Sequence, residues 1–339
     1  MKSIFIHPLF VLAATCLAGG FIGIGCSSTT SSYGDAERPK AVDLYVAAVE
    51  AYHSGNHARA KDRLQLATRI NPELRMAHSL LGDLYRAEGN YPAAREQYLA
   101  MTRLDPYTAA NHYRLGLTYQ FLQRFKDAAA SYLRALELEP ASWKSNMNLG
   151  LTYLALDQYD DAFKYVDMAT RLAPKESQAW SNFGVVLDAR AQFPQAESAY
   201  RKSLELGGNN VTTMMNLTSN LLNQEKPAEA GAVMQQAISL ERTPVTLKRY
   251  GDTFMASRRF DEAIQQFDEA LKLDARYLPA LNEKGVAYIR IYDERELGLN
   301  DAPRIKALET WKQSLAINAN QPRVQQWVRK WTEQRLFDQ

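Results

Sequence analysis

The chain is poor in the residues that staple or catalyse. Of its 339 residues only two are cysteines, Cys16 and Cys26, and five are histidines. Two cysteines exclude a disulfide framework and a cysteine-based zinc site. Neither a glycine-rich phosphate loop nor a His-Glu metal motif is present, so nucleotide and zinc-hydrolase chemistry have no foothold. Neither sign of charge is in excess: 40 Lys and Arg stand against 38 Asp and Glu. Polyphosphate binders carry a marked basic surplus, so nucleic acid is not expected as a partner. Prolines are few, yet four of the 13 are not scattered. Pro72, Pro106, Pro140 and Pro174 recur at one fixed spacing of 34 residues.

The N-terminus holds no Asp, Glu, Lys or Arg from Ser3 to Gly34. Lys2 precedes an apolar run, Ile4 to Ile24, which has the layout of a secretory signal peptide. Gly23-Ile24-Gly25-Cys26 resembles the lipobox of bacterial lipoproteins, where a small residue precedes a lipid-modified cysteine. The resemblance implies a signal peptide over 1–25, an acylated Cys26 and a Ser/Thr-rich tether over 26–40. It also implies a lipid anchor at the bacterial outer membrane, facing the periplasm. An uncleaved membrane helix and plain secretion are the alternatives.

Aligning the chain on its four prolines exposes further columns. With the proline at position 32, units begin at residues 41, 75, 109, 143, 177, 211, 244 and 278. Position 8 is small throughout: Ala48, Gly82, Gly116, Gly150, Gly184, Thr218, Gly251 and Gly285. Position 20 is alanine in every unit, from Ala60 to Ala307, and position 24 is large, as at Tyr98, Tyr132 and Tyr200. Two antiparallel helices, A and B, that meet at the small positions and pack large residues around that contact account for these columns. Turn signals such as Glu88-Gly89-Asn90 separate the helices, and the proline stops helix B.

This pattern resembles the tetratricopeptide repeat family. The resemblance implies an all-α right-handed solenoid of about eight helix pairs, over 41–74, 75–108, 109–142, 143–176, 177–210, 211–243, 244–277 and 278–321. The eighth unit carries an insertion near 290–306, rich in charge. Pro322 to Phe337 reads as a capping helix, with Val324, Trp327, Val328 and Trp331 at helical spacing, within a C-terminal segment 322–339. Only two residues follow it, so no appended catalytic domain is expected.

Function is expected on helix A, which lines the groove in this family. Position 6 reads Asn148, Asn182 and Asn216 in three consecutive units. This resembles the asparagine ladder of the O-linked GlcNAc transferases, in which carboxamides hold a peptide backbone. Tyr113, Arg114, Lys144, Gln178, Lys248 and Arg249 are the remaining groove candidates, the last two suited to an acidic segment. His53 and His57 flank a turn and read as solvated, while His78 and His112 occupy the packing position 4. No metal, no cofactor and no catalytic residue is expected. The reading is therefore a membrane-tethered scaffold for a protein or peptide partner, such as the pilotins of pili or adaptors of cell-wall hydrolases. A chaperone-like carrier of unfolded envelope proteins is the alternative; a non-catalytic subunit of a transferase or hydrolase is a further one.

Overall fold

The computed structural model describes residues 38–294 and 301–333. The leader, Cys26, most of the serine-rich segment and part of the insertion lie outside the described residues. Among the described residues there are seventeen helices and no strand. The chain divides into two compact units between Pro174 and Lys175.

The first unit pairs α1 (Arg38–His53) with α2 (His57–Ile70), α3 (Arg75–Ala87) with α4 (Tyr91–Leu104), α5 (Ala109–Phe121) with α6 (Phe125–Leu138) and α7 (Trp143–Ala155) with α8 (Tyr159–Leu172). Each pair is a tight αα-hairpin, and the small residue at position 8 is the reason. A Cβ on Gly82 would lie 2.9 Å from the Tyr98 ring, and one on Gly116 would lie 2.7 Å from the Tyr132 ring. The tyrosines fill the space that the missing side chains leave, and both are fully buried.

Between the helices the residue at position 15 takes a left-handed conformation. Gly55 and Gly89 adopt it without steric cost. Gln123 and Asp157 adopt the same φ near 57° without that freedom. Asn56 and Asn90 then cap helix B by accepting from the N–H groups of Arg59 and Ala93.

The far end of helix B is closed by a side chain from the next helix A. His78 Nε2 lies 2.9 Å from the Pro72 carbonyl oxygen, and His112 Nε2 lies 2.9 Å from that of Pro106. Asn146 Nδ2 donates to the Pro140 carbonyl at 3.3 Å. All three donors stand at position 4. The expected packing histidines are thus also ties between consecutive helix pairs, satisfying turn carbonyls just past the end of helix B.

The second unit continues the scheme with α9 (Ser177–Ala189), α10 (Phe193–Gly207), α11 (Val211–Asn223), α12 (Pro227–Leu240), α13 (Pro244–Ala256), α14 (Phe260–Leu273), α15 (Leu278–Glu294), α16 (Ala302–Ile317) and α17 (Pro322–Glu333). The insertion lengthens α15 to 17 residues, against 13 in α13. The added turn packs: Ile291 is buried, and the Tyr292 ring meets Trp331 edge-on at 6.1 Å. α17 closes the end of the stack. Its Trp327 ring lies 5.1 Å from buried Trp311. Buried Arg304 grips Asp301 through two nitrogens, at 2.9 and 2.6 Å, and donates to the Trp331 carbonyl.

Candidate functional site

The candidate face of helix A comprises positions 2, 5, 6 and 9, of which 5 and 9 also touch helix B, as Tyr113 touches Tyr132 and Asp83 touches Tyr98. In the first unit this face starts apolar. Val42, Val46 and Met76 are 42%, 50% and 55% exposed. It then turns polar and is braced from within. The Asn148 Nδ2 donates at 3.0 Å to the Tyr113 hydroxyl and at 3.0 Å to the Lys144 carbonyl. Asn148 is only 4% exposed, so its amide nitrogen ties α7 to α5 rather than facing solvent. Burial raises the Tyr113 hydroxyl's pKa, keeping it neutral as the acceptor of that bond. Arg114 donates to Ser79 at 2.9 Å and lies 3.9 Å from Asp83. Asp83 also accepts from Tyr98 at 2.7 Å. Lys144 is exposed, its ammonium 5.7 Å from the Trp143 ring, with no carboxylate partner among the described residues.

In the second unit the same face carries Gln178 and Asn182 on α9, both half-buried and both engaged by other groups. Asn216 on α11 is half-buried with no hydrogen-bond partner among the described residues. Lys248 and Arg249 on α13 converge on one carboxylate. Lys248 lies 2.9 Å and Arg249 3.8 Å from the same Asp252 oxygen. Their charge is therefore partly spent inside the chain, which a reading of position alone does not reveal.

Two polar features have environments that the repeat columns do not reveal. One lies behind the face. Asp188 accepts from the Tyr200 hydroxyl at 2.8 Å and from Asn220 at 2.5 Å. Burial pushes its carboxyl up to about 6, against the opposing pull of these two bonds. Gln224 bridges Asn220 to Glu197, which Lys226 and Arg201 hold at 2.9 Å each. The network is internally paired, buried at Asn220 and open to solvent at Arg201 and Lys226, and it braces α9, α10 and α11. The other feature is Glu283 on α15, again at position 6. It is half-buried, and burial raises its carboxyl pKa. Its charged neighbours are Lys248 and Asp252 from α13 and Arg323 from α17. It has no hydrogen bond and no ion pair among the described residues. The sequence signal existed, since position 6 reads Asn216, Arg249 and Glu283 down the last three units, but the desolvation did not.

The described residues contain no group of three metal-ligating side chains. His53 and His57 are exposed, and each packs edge-on against Tyr52. Donors, acceptors and apolar side chains stand side by side along the A-helix face.

Comparison with known proteins agrees with this layout. No curated protein sequence matches the chain. Among solved structures, a tetratricopeptide repeat protein from Parabacteroides merdae superposes with a TM-score of 0.59 at 17% identity, over 70% of this chain and 94% of that one. Pseudomonas aeruginosa pilF gives 0.52 at 22% identity, over 65% and 99%. The Cut9-Hcn1 hetero-tetramer of the APC/C gives 0.56 at 14%, over 85% and 55%. The tetratricopeptide repeat profile matches residues 45–109, 113–177 and 250–291, together about half of the chain. The repeated small and large positions, the helix pairs they build and this match make the chain a member of the tetratricopeptide repeat family.

Proposed function

We propose that the protein is a non-catalytic scaffold of the bacterial cell envelope, tethered by a lipid on Cys26, that holds a partner protein or an extended peptide on its A-helix face. The fold is that of a protein–protein interaction scaffold. The observation that carries the binding face is Asn216: a carboxamide half-buried on helix A, with no partner among the described residues. Such a group gains hydrogen bonds when a peptide backbone reaches it, because it both donates and accepts. The leader-like segment and the residues before Cys26 support the envelope and the tether.

Photocrosslinking in cells tests the face. A benzophenone amino acid at position 216 is expected to trap one or two defined proteins, whereas the same probe at exposed Gln235 on α12 traps none of them. Partners captured only from position 235 would move the binding surface to the B helices.

A further inference from the structure

Charge is spread unevenly over the B helices. α2 and α4 together carry six cations against two carboxylates, Asp62 and Glu96. α6 is balanced, α8 is acidic by one charge, and α14 in the second unit is acidic by three. α16 is basic by two, but its Arg304 is buried on Asp301. Within α2 and α4, Lys61 is served by Glu88 at 2.8 Å and Arg95 by Glu96 at 2.5 Å. Arg59, Arg63, Arg69 and Arg103 have no ion pair and no side-chain hydrogen bond among the described residues. Three of the four are exposed and Arg63 is half-buried. The turns that follow the two helices add Glu73 and Asp105, which leave the balance positive, and Asp105 already lies 3.5 Å from Arg75. Apolar side chains stand among these cations. Leu66, one turn from both Arg63 and Arg69, is 39% exposed, and Tyr107, just past the end of α4, is 77% exposed.

We infer that the α2–α4 surface is a membrane-docking surface that takes anionic phospholipid headgroups and turns the A-helix face of α1 and α3 away from the bilayer. The inference rests on the proposed tether and adds what orients the protein on it. Two observations choose this occupant. The first is chemical: an unpaired guanidinium meets a phosphate with two parallel N–H donors. Exposed leucine and tyrosine between such cations suit the boundary between headgroups and acyl chains. The second is where the chain enters. In the antiparallel α1–α2 hairpin the last turn of α2, with Leu66 and Arg69, lies beside the first turn of α1. Residues 26–37 lead from the proposed lipid to that turn and span at most about 40 Å when extended. A tether of that length holds the surface near the bilayer at an effective concentration of about millimolar, so a locally weak attraction suffices to set orientation.

Fluorescence quenching in nanodiscs tests this. The protein extracted from membranes is placed in discs of phosphatidylcholine, or of phosphatidylcholine with about 30% phosphatidylglycerol, each containing a lipid with a nitroxide on its headgroup. A fluorophore is clicked onto an azido amino acid at exposed position 58 on α2, or at exposed position 46 on the A-helix face of α1. Co-elution with the neutral discs reads the tether, and quenching reads the docking. Position 58 is expected to be quenched about threefold more in anionic than in neutral discs. That difference vanishes at about 1 M salt, where charges are screened within about 3 Å. Position 46 stays unquenched in both. Replacing Arg59, Arg63, Arg69 and Arg103 together by Gln removes the difference, and the salt arm reads the same charge dependence on unaltered arginines. Equal quenching of position 58 in both discs, or quenching of position 46 in its place, overturns the docking surface and leaves the tether standing. Elution apart from neutral discs, with position 58 quenched in anionic ones, overturns the tether and keeps the surface; elution apart from both overturns both. A benzophenone at position 58 that traps an acidic protein in cells and no phospholipid assigns the patch to that protein and overturns the membrane as its occupant.

Discussion

At the scale of single residues, two repeat positions show how the repeat trades local strain against packing. The left-handed position 15 is glycine in the first two units only. Ala191 holds it at φ 57° on the exposed surface. A Cβ in that conformation costs about 1–2 kcal/mol, while glycine's greater freedom in the unfolded chain returns about 0.5–1 kcal/mol of that. Ala191→Gly is therefore expected to raise the stability of the second unit by about 0.5 kcal/mol, read from the urea midpoint. Position 8 works in the opposite sense. Gly116→Ala drives a methyl into the buried Tyr132 ring and is expected to destabilise by about 1–3 kcal/mol.

Asp188 has a pH signature of its own. Its folded carboxyl titrates near 6, above the ordinary value, because burial penalises the charge. As pH falls through 6 the folded state takes up a proton before the unfolded chain does. This group's contribution to stability therefore rises between pH 7 and about 4, where most paired carboxylates lose theirs. Asp188→Asn removes that term and keeps a carbonyl acceptor for Tyr200 or Asn220. Relative to this variant, the native protein is expected to gain about 1 kcal/mol on going from pH 7.5 to pH 5. A difference that stays constant across that range would show that Asp188 is not desolvated in the folded chain.

At the scale of elements, the helix pairs were largely legible, because the columns follow from a contact that repeats. Alanine or glycine where two helices touch, a large residue opposite and proline after helix B each have one physical reason, and each recurs. The A helices begin at Arg75, Ala109, Trp143, Ser177, Val211, Pro244 and Leu278, at the first position of the repeat as the columns set it. The candidate site was legible only in part. Position 6 marks the A-helix face, but whether a side chain on it is open depends on its partners, one repeat away for Asn148 and on the same helix for Lys248 and Arg249. Asn148 is held by Tyr113, and Lys248 and Arg249 by their shared Asp252. The environment of Glu283 includes Arg323 from α17, which lies outside the repeat register. The bulk of the position 4 column elsewhere marks its two histidines as packing residues; the proline carbonyls that they also meet belong to the preceding unit.

The last element is the one most exposed to a single change. α17 docks chiefly on α16 and the added turn of α15, through Trp331, Trp327 and Val324. In a stack where each element leans on its neighbours, loss of the terminal one frays the end first. Trp331→Ala is expected to speed hydrogen exchange of α17 and of the end of α15 by an order of magnitude or more, while α9 and α10 keep their protection. Uniform loss across α9 to α16 would mean that the second unit unfolds as one cooperative block.

At the scale of the whole molecule, the question is what would hold such a scaffold at a membrane. The formal charge is +2, spread over 78 charged side chains, so net charge alone attracts the chain only weakly to an anionic surface. Among the described residues no helix is long and apolar enough to cross a membrane. Attachment in the proposed reading therefore falls on residues 1–37, and two chemistries compete there. An uncleaved helix would keep Ile4 to Ile24 on the chain. A lipoprotein would lose residues 1–25 and carry acyl chains on Cys26, each buried methylene contributing about 0.8 kcal/mol. Intact mass of the membrane-extracted protein separates them. The expected species begins at Cys26 and is heavier than its polypeptide by the acyl groups. Cys26→Ala is expected to abolish that added mass and to leave residues 1–25 attached, since processing and acylation both act at this cysteine. A native mass that still includes Met1 would instead establish the helix as the anchor.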